Sequence, residues 1–255
     1  MIHAPVGFRT LLRKEVARFM SVPTQTVFTP VITALLYLLI FGQALGSRIS
    51  PFHGVPFVQF LIPGLVMMGV INHSFQNTAS SLLVSKYEGN IVDLLVAPMS
   101  HVEILMGYAL GGVVRGLIVG LVTYVAALPF AAVPVRNPLF LAAMVLPASL
   151  TFSLLGLVAA IRAEKFDQLS QISSFVVLPL TYLGGVFYSV ESLPPAFRTL
   201  SLFNPMLYMV DGVRFGFLGV SDINPGVNLA VVTTAAAGLF ALGYFLLRSG
   251  YRLRT

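Results

Sequence analysis

From Pro138 to Ile161 the chain contains no Asp, Glu, Lys or Arg. A helix that crosses the hydrocarbon of a bilayer needs roughly 20 predominantly apolar residues. In hydrocarbon the backbone must satisfy its own N–H and C=O groups, so such a run is accommodated as a helix. Further runs of this kind extend from about Pro23 to Leu45, Phe57 to Leu83, Ile104 to Ala132, Leu169 to Tyr188 and Pro225 to Leu247. Arg115 interrupts the third run in chain order. The pattern predicts an all-α integral membrane protein with six transmembrane helices, a single transmembrane domain over 1–255, no soluble domain and no internal repeat.

Composition agrees with this reading. Of the 255 residues 57% are hydrophobic and 9% charged, whereas soluble domains are about half apolar and about a quarter charged. Mean hydropathy is +0.90. The net charge of +6 raises the question of nucleic acid. The Lys and Arg residues border the apolar runs, which is the arrangement of a membrane protein, and no nucleic-acid partner is expected. Cys is absent, which excludes disulfides and thiol chemistry. The N-terminus carries charges within its apolar pattern and no small-residue cleavage site, so no signal peptide is read.

Six crossings place both termini on one side. If that side is the cytoplasm, Arg9, Arg13, Lys14, Arg18, Lys86, Arg162, Lys165, Arg248, Arg252 and Arg254 lie inside, and Arg48, Arg136, Arg198 and Arg214 lie outside. This excess follows the positive-inside bias. Helix starts are marked by Asn137-Pro138, Asn204-Pro205 and Asn224-Pro225, each an N-cap oxygen before a proline at the first helical position. Ser100 and Glu103 form a possible capping box, and Pro98 ends a helix arriving before it.

Two cytoplasmic segments are amphipathic. In the loop Lys86 to Ala97, Tyr87, Ile91, Leu94 and Leu95 share a helical face, with Lys86, Asn90 and Asp93 on the other side and Glu88 at the boundary. Such a helix lies in the lipid interface or docks into a partner's groove. In the N-terminal segment, Phe8, Leu11, Leu12, Val16 and Phe19 form an apolar stripe bordered by Arg9, Arg13, Lys14 and Arg18. Glu15 falls beside the stripe and can pair with Arg18 three residues on, or with a neighbouring loop.

Inside the runs, Gly112, Gly116 and Gly120 form a small-residue row that permits close helix approach, within one chain or across a dimer. Arg115 on the same run is costly at that depth and needs protein, water or substrate beside it. The stretch Asn72 to Ser81 is polar, and its side chains bond neighbouring helices or line a path. Asp211 and Arg214 are spaced to pair along one helix.

Enzymatic motifs are missing. No G-x-x-x-x-G-K-[ST] is present to hold nucleotide phosphates. His73 near serines lacks a G-x-S-x-G elbow, and no His, Asp or Glu cluster has metal spacing. The chain is expected to be a transport permease without a catalytic site, a metal or a cofactor of its own. An ion-gradient-driven secondary transporter or channel is the alternative. It would place carboxylates at mid-membrane, and no Asp or Glu lies centrally in a run. A structural scaffold is a third class.

Long segments carry a resemblance. They are "KEVARFM" (Lys14 to Met20), "PVITALLYLLIFGQALGSRI" (Pro30 to Ile49), "FLIPGLVMM" (Phe60 to Met68), "NIVDLLVAPMS" (Asn90 to Ser100), "GYALGGVVRGL" (Gly107 to Leu117), "PLTYLGGVFYS" (Pro179 to Ser189) and "NPMLYMVDGVRFGFLG" (Asn204 to Gly219). In this order and spacing the chain resembles the membrane subunits of ABC exporters. The group is that of O-antigen, teichoic acid, nodulation-factor and multidrug permeases, YadH-like bacterial permeases among them.

That resemblance implies an N-terminal interfacial helix (1–22), spans one to five (23–189), an outer re-entrant helical hairpin (190–223) and a sixth span with a cytoplasmic tail (224–255). It implies a coupling helix at about Lys86 to Ala97 that meets an ATPase subunit, with Tyr87, Glu88, Ile91, Asp93, Leu94 and Glu15 as coupling residues. Arg115, Asn72, Asn204, Tyr208, Asp211 and Arg214 are implied in the translocation path or its lid. The expected partners are two copies of a separate ABC ATPase carrying ATP and Mg, a second copy of this chain, the lipid bilayer, and a hydrophobic or lipid-linked substrate. The expected location is the bacterial cytoplasmic membrane.

Overall fold

The computed structural model describes residues 4–44, 46, 51, 52 and 54–252. Arg48, Arg254 and the Leu45 end of the first apolar run lie outside the described residues. The architecture is helical throughout, and the one extended pairing among the described residues is the bridge of Phe52 with Val55. In chain order the helices are α1 (Ala4–Met20), α2 (Thr29–Tyr37), α3 (Phe57–Tyr87), α4 (Asn90–Val96), α5 (His101–Ala127) and α6 (Pro138–Arg162). There follow α7 (Phe166–Ile172), α8 (Leu178–Tyr182), α9 (Pro195–Leu202), α10 (Pro205–Leu218) and α11 (Pro225–Ser249). Among the described residues five helical stretches are long and apolar enough to cross a membrane: Thr24–Gly42, Phe57–Tyr87, His101–Ala127, Pro138–Arg162 and Pro225–Ser249.

The remaining apolar run takes a different form. It is helical from Phe166 to Tyr182, as α7, a π-helical turn at Ser173–Val177, and α8. After Tyr182 the chain leaves the helix, and Gly185 turns at φ +79°. The first long stretch also contains π turns, Thr24–Phe28 and Leu38–Ala44, on either side of α2.

Helix ends follow the local chemistry, with one exception. Ser100 Oγ accepts from the Glu103 N–H at 3.2 Å, and Glu103 Oε2 accepts from the Ser100 N–H at 2.7 Å, closing the capping box of α5. Asn204 and Asn224 cap α10 and α11 through their side-chain oxygens, at 3.0 and 2.8 Å. Asn137 does not cap α6 with its side chain. The loop before α6 is pinned instead to the free carbonyls at the end of α10, where Arg136 N donates to Phe217 O at 3.0 Å and Asn137 N to Gly216 O at 2.9 Å.

The expected loop helix is shorter than its apolar pattern. Lys86 and Tyr87 finish α3, and Gly89 then turns at φ +78°, a conformation only glycine adopts without penalty. α4 starts at Asn90 and stops at Val96, because Pro98 holds Ala97 extended at ψ 150°. Tyr87 therefore sits on a different helix from Ile91, Leu94 and Leu95.

The core is built around α3. In lipid there is no hydrophobic drive between helices, so close backbone approach and interhelical hydrogen bonds carry association. The row Gly112, Gly116, Gly120 of α5 lies on α3 of the same chain. A Cβ at Gly112 would meet Ser153 Oγ and lie 2.8 Å from the Ser74 carbonyl oxygen, and one at Gly116 would lie 3.0 Å from the Val70 carbonyl oxygen. On the other flank Gly156 of α6 abuts Phe75 O, with Ala79 N at 3.1 Å from its Cβ position. Thr78 Oγ1 and Ser153 Oγ are 2.6 Å apart at this junction, and Ser153 donates to Ala109 O at 2.7 Å. A second glycine face of α5 receives α1: a Cβ at Gly107 would lie 2.9 Å from Leu11 Cγ, and one at Gly111 2.6 Å from Glu15 Cβ.

The two ends of the bundle are distinct. At one end α1 and α4 gather, and Lys86 Nζ caps the last turn of α6 by donating to the carbonyls of Ala160, Ile161 and Ala163 at 3.1, 2.9 and 2.8 Å. At the other end α10 packs on the α5–α6 loop and on the start of α11.

Gly112→Val and Gly156→Val are expected to cost about 1–3 kcal/mol each, because the added atoms meet backbone and have no room. Gly238→Ala on α11 adds a methyl to open space and is expected to be neutral or to gain about 0.5–1 kcal/mol. Thermal circular dichroism of the detergent-extracted chain measures all three, and equal midpoints would show that α5 and α6 do not touch α3 this closely.

Candidate functional site

Three places hold the polar chemistry of the bundle. The first is a cleft of about 710 Å³ between α1, the π turn before α2, α3, α5 and α7. Arg18, Arg115, Gln25, Gln76 and Ser80 line it, with Ser170, Ser173 and Ser174 on the facing wall. A contiguous cavity of about 330 Å³ continues past Arg115 to Asn72, His73, Tyr37 and Tyr182. The two tyrosine hydroxyls are 2.8 Å apart and close that end. Both walls of the cleft carry a π turn, Thr24–Phe28 on one side and Ser173–Val177 on the other. Of the residues expected in the path, the structure brings Arg115 and Asn72 together here. Sequence reading named Arg18 as a partner for Glu15 and included Gln76 in the polar stretch Asn72 to Ser81, but did not single out Gln25, Ser170, Ser173 or Ser174. These four are polar interruptions inside apolar runs, and nothing in the sequence said that they share a cavity.

The second place is at the opposite end. Asp211 on α10 is buried and accepts from Ser221 Oγ (2.6 Å), Asp222 N (2.9 Å), Ile223 N (3.1 Å) and Asn228 Nδ2 (2.8 Å). Arg214 Nη1 lies 3.9 Å from Asp211, its Nη2 donates to Gly185 O at 2.8 Å, and its guanidinium sits 3.6 Å over the Phe60 ring. Asn204 Nδ2 donates to Leu180 O at 2.7 Å, and Tyr208 Oη donates to Leu202 O at 2.7 Å. These four side chains tie α10 to α3, α8, α9 and α11. They are held within the protein, away from the cleft that contains Arg115.

The third place is the end where α1 and α4 meet. A groove of about 400 Å³ runs between them, with Lys14, Asn90, Asp93 and Leu94 on its sides. Ile91 is 3% exposed and anchors α4 to the bundle. Tyr87 is 82%, Val92 51% and Val96 77% exposed, with Glu88 and Asp93 beside them. The outward surface of α4 therefore includes Val92 and Val96, an i,i+4 pair that the apolar pattern centred on Ile91 hid. Gly112, Gly116 and Gly120 are engaged inside the chain, against α3 and α6. Among the described residues no cluster of His, Asp or Glu is placed to hold a metal.

Glu15 is the most constrained charge at this end. It is 0% exposed and accepts from Ser81 Oγ at 2.7 Å, with Arg18 Nη2 at 3.5 Å. Arg18 Nη2 also donates to Asn77 O and Oδ1 at 2.9 and 3.0 Å. Burial pushes the Glu15 carboxyl above its ordinary value of 4.5, and Ser81, Arg18 and Lys14 pull it partly back. The folded state thus binds this proton more tightly than the unfolded chain does. Stability is complete below the ordinary value and declines as pH rises through the raised one. Glu15→Gln is expected to remove this decline, which a pH series of thermal midpoints of the extracted chain will read. Identical slopes in the two proteins would exclude Glu15 as the source.

Comparison with known proteins adds a family to this geometry. The family described as "ABC-2 type transporter" matches residues 6–218. The inner membrane transport permease YadH of Escherichia coli (strain K12) is 41% identical over 250 residues, 98% of each chain. Nodulation protein J of Rhizobium meliloti (strain 1021) is 21% identical over 215 residues, 84% of this chain and 82% of that one. Nodulation protein J of Rhizobium leguminosarum bv. viciae is 22% identical over 223 residues, 84% of this chain and 83% of its own. With a bundle of membrane-length helices and polar residues gathered in a cleft, this chain belongs to the ABC-2 type transporter family as a multi-pass membrane permease.

Proposed function

We propose that the chain is the translocating subunit of an ATP-driven exporter in the bacterial cytoplasmic membrane. It works as a homodimer with two copies of a separate ABC ATPase that carry the ATP and Mg. The observation that carries this reading is α4. An outward surface of Tyr87, Glu88, Val92, Asp93 and Val96 stands at the end of a long apolar helix, in a chain with no phosphate-binding loop. Exposed apolar residues bordered by acids suit a groove on a partner protein. α4 joins α3 to α5 through short turns, so a push on it reaches two long helices directly.

Six crossings with both termini inside agree with the charge bias. They also agree with the course of the interrupted segment, which leaves the α6 end near Lys165 and reaches the α10–α11 end at Val190, where Asp222 Oδ2 accepts the Val190 N–H at 2.8 Å. In this reading α9 and α10, too short to span, form a re-entrant hairpin on the outer side. The polar cleft holds Arg115, for which hydrocarbon would be a poor neighbour. A second copy facing it completes a pathway, and lipid-linked or hydrophobic molecules enter and leave through it outward.

The double variant Val92→Asp, Val96→Asp leaves Ile91 in place and is expected to reduce copurifying ATPase at least about tenfold, as loss of a small apolar contact patch would. Native mass spectrometry of the wild-type complex is expected to show two copies of each subunit. Wild-type levels of ATPase with the double variant would refute the role of α4, and a stable, active monomer would refute the dimer.

A further inference from the structure

Among the described residues, the cleft contains one cation with no opposite charge beside it. Arg18 is engaged by Glu15 and by two oxygens of Asn77. Arg115, midway along α5, has no ion pair or hydrogen bond to any other described residue, and its Nε is buried without a partner. No Asp or Glu lines either part of the cleft. A guanidinium held in a membrane-length helix normally finds a carboxylate or a carbonyl, because leaving it unpaired is costly. Apart from Arg18, the polar groups that line the cleft with it are neutral donors and acceptors: Gln25, Gln76, His73, Ser170 and Ser173. This set solvates a polar group without neutralising Arg115.

We propose that this cleft binds an amphiphile with a singly charged phosphodiester headgroup, which Arg115 receives. A planar guanidinium presents parallel N–H donors that match phosphate oxygens, and the contact strengthens where water is excluded. One uncompensated positive charge is balanced by one negative charge, which a phosphodiester carries. The hydroxyl and amide side chains are placed to bond the remaining headgroup oxygens. Phe19, Phe75, Phe166, Leu169 and Leu178 line the same cleft and give the attached chains an apolar wall. A volume of about 710 Å³ admits a headgroup of this size. An apolar groove of about 300 Å³ between α3, α5 and α6 holds no charge and offers an anion nothing. The assignment rests on the transport reading insofar as it names the class of cargo, but the binding itself can be measured without the ATPase.

The full chain is extracted in neutral detergent and titrated with dioleoylphosphatidylglycerol, dioleoylphosphatidylcholine and inorganic phosphate, with binding read by native mass spectrometry. Phosphatidylglycerol is expected to bind at least about tenfold more tightly than phosphatidylcholine. Arg115→Gln is expected to erase that preference, and Arg115→Lys to keep most of it. Should Arg115→Gln fail to fold, Gln76→Glu places a carboxylate in the same cleft and is expected to have the same effect. Equal binding of the two lipids by the wild type would overturn the proposal, as would an unchanged preference in a folded Arg115→Gln. Displacement of phosphatidylglycerol by equimolar inorganic phosphate would assign the site to a free anion and overturn the amphiphile. A chain that binds phosphatidylglycerol through Arg115 but recruits no ATPase would leave this inference standing and sink the transport reading.

Discussion

Backbone contact between α3 and its two neighbours is the constraint on which the rest of the structure depends. Helices in lipid gain nothing from hiding apolar surface from one another, so they associate where their backbones can approach. Gly112 and Gly116 on one side and Gly156 on the other bring α5 and α6 onto the Ser74–Phe75 region of α3. The hydroxyls of Thr78 and Ser153 bond at the same level. This places the polar stretch of α3 at the centre of the bundle, where it helps to form the cleft. The second glycine face of α5, Gly107 and Gly111, is what lets α1 lie against the bundle with Glu15 buried.

Charges then fix the two ends. Lys86 closes the last turn of α6, and Glu15 with Arg18 ties α1 to α3 at the same end. At the other end Asp211 of α10 gathers four donors from α11 and the loop before it, and Arg214 reaches back to Gly185 and Phe60. Removing one member of a buried charged pair is far more damaging than never having built it. These clusters therefore act as staples that set how the ends are arranged, while the glycine contacts set the distance between helices. Arg115 stands apart from both clusters, since no described residue sets an opposite charge beside it.

Much of this was legible in advance because the signals are local. Run length and the absence of charge marked the long helices, since the backbone in hydrocarbon has few alternatives. The capping box at Ser100 and Glu103 and the Asn-Pro starts at Asn204 and Asn224 involve neighbours in sequence, and they form as expected. Asn137 failed for a reason that is not local: its loop is held by carbonyls at the far end of α10. The loop helix was misplaced at its start because periodicity continues from Tyr87 to Ile91 while Gly89 breaks the helix between them. That break turns Ile91 inward as an anchor and leaves Val92 and Val96 outward.

The sequence by itself determined a helical membrane protein, the approximate ends of most of its helices, and the spacing that lets Glu15 meet Arg18 and Asp211 meet Arg214. Spacings of three or four residues and runs of about 20 are properties of a single helix, so they can be read along the chain. Tertiary structure alone decided which partner each glycine row would meet. It also decided that Lys86 would cap a helix more than seventy residues away, that Asp211 would collect donors from another helix, and that Arg115 would share a cleft with Arg18, Gln25 and Ser173. Those relations depend on where helices cross in space, and no periodicity along one helix encodes the face that a distant helix will present.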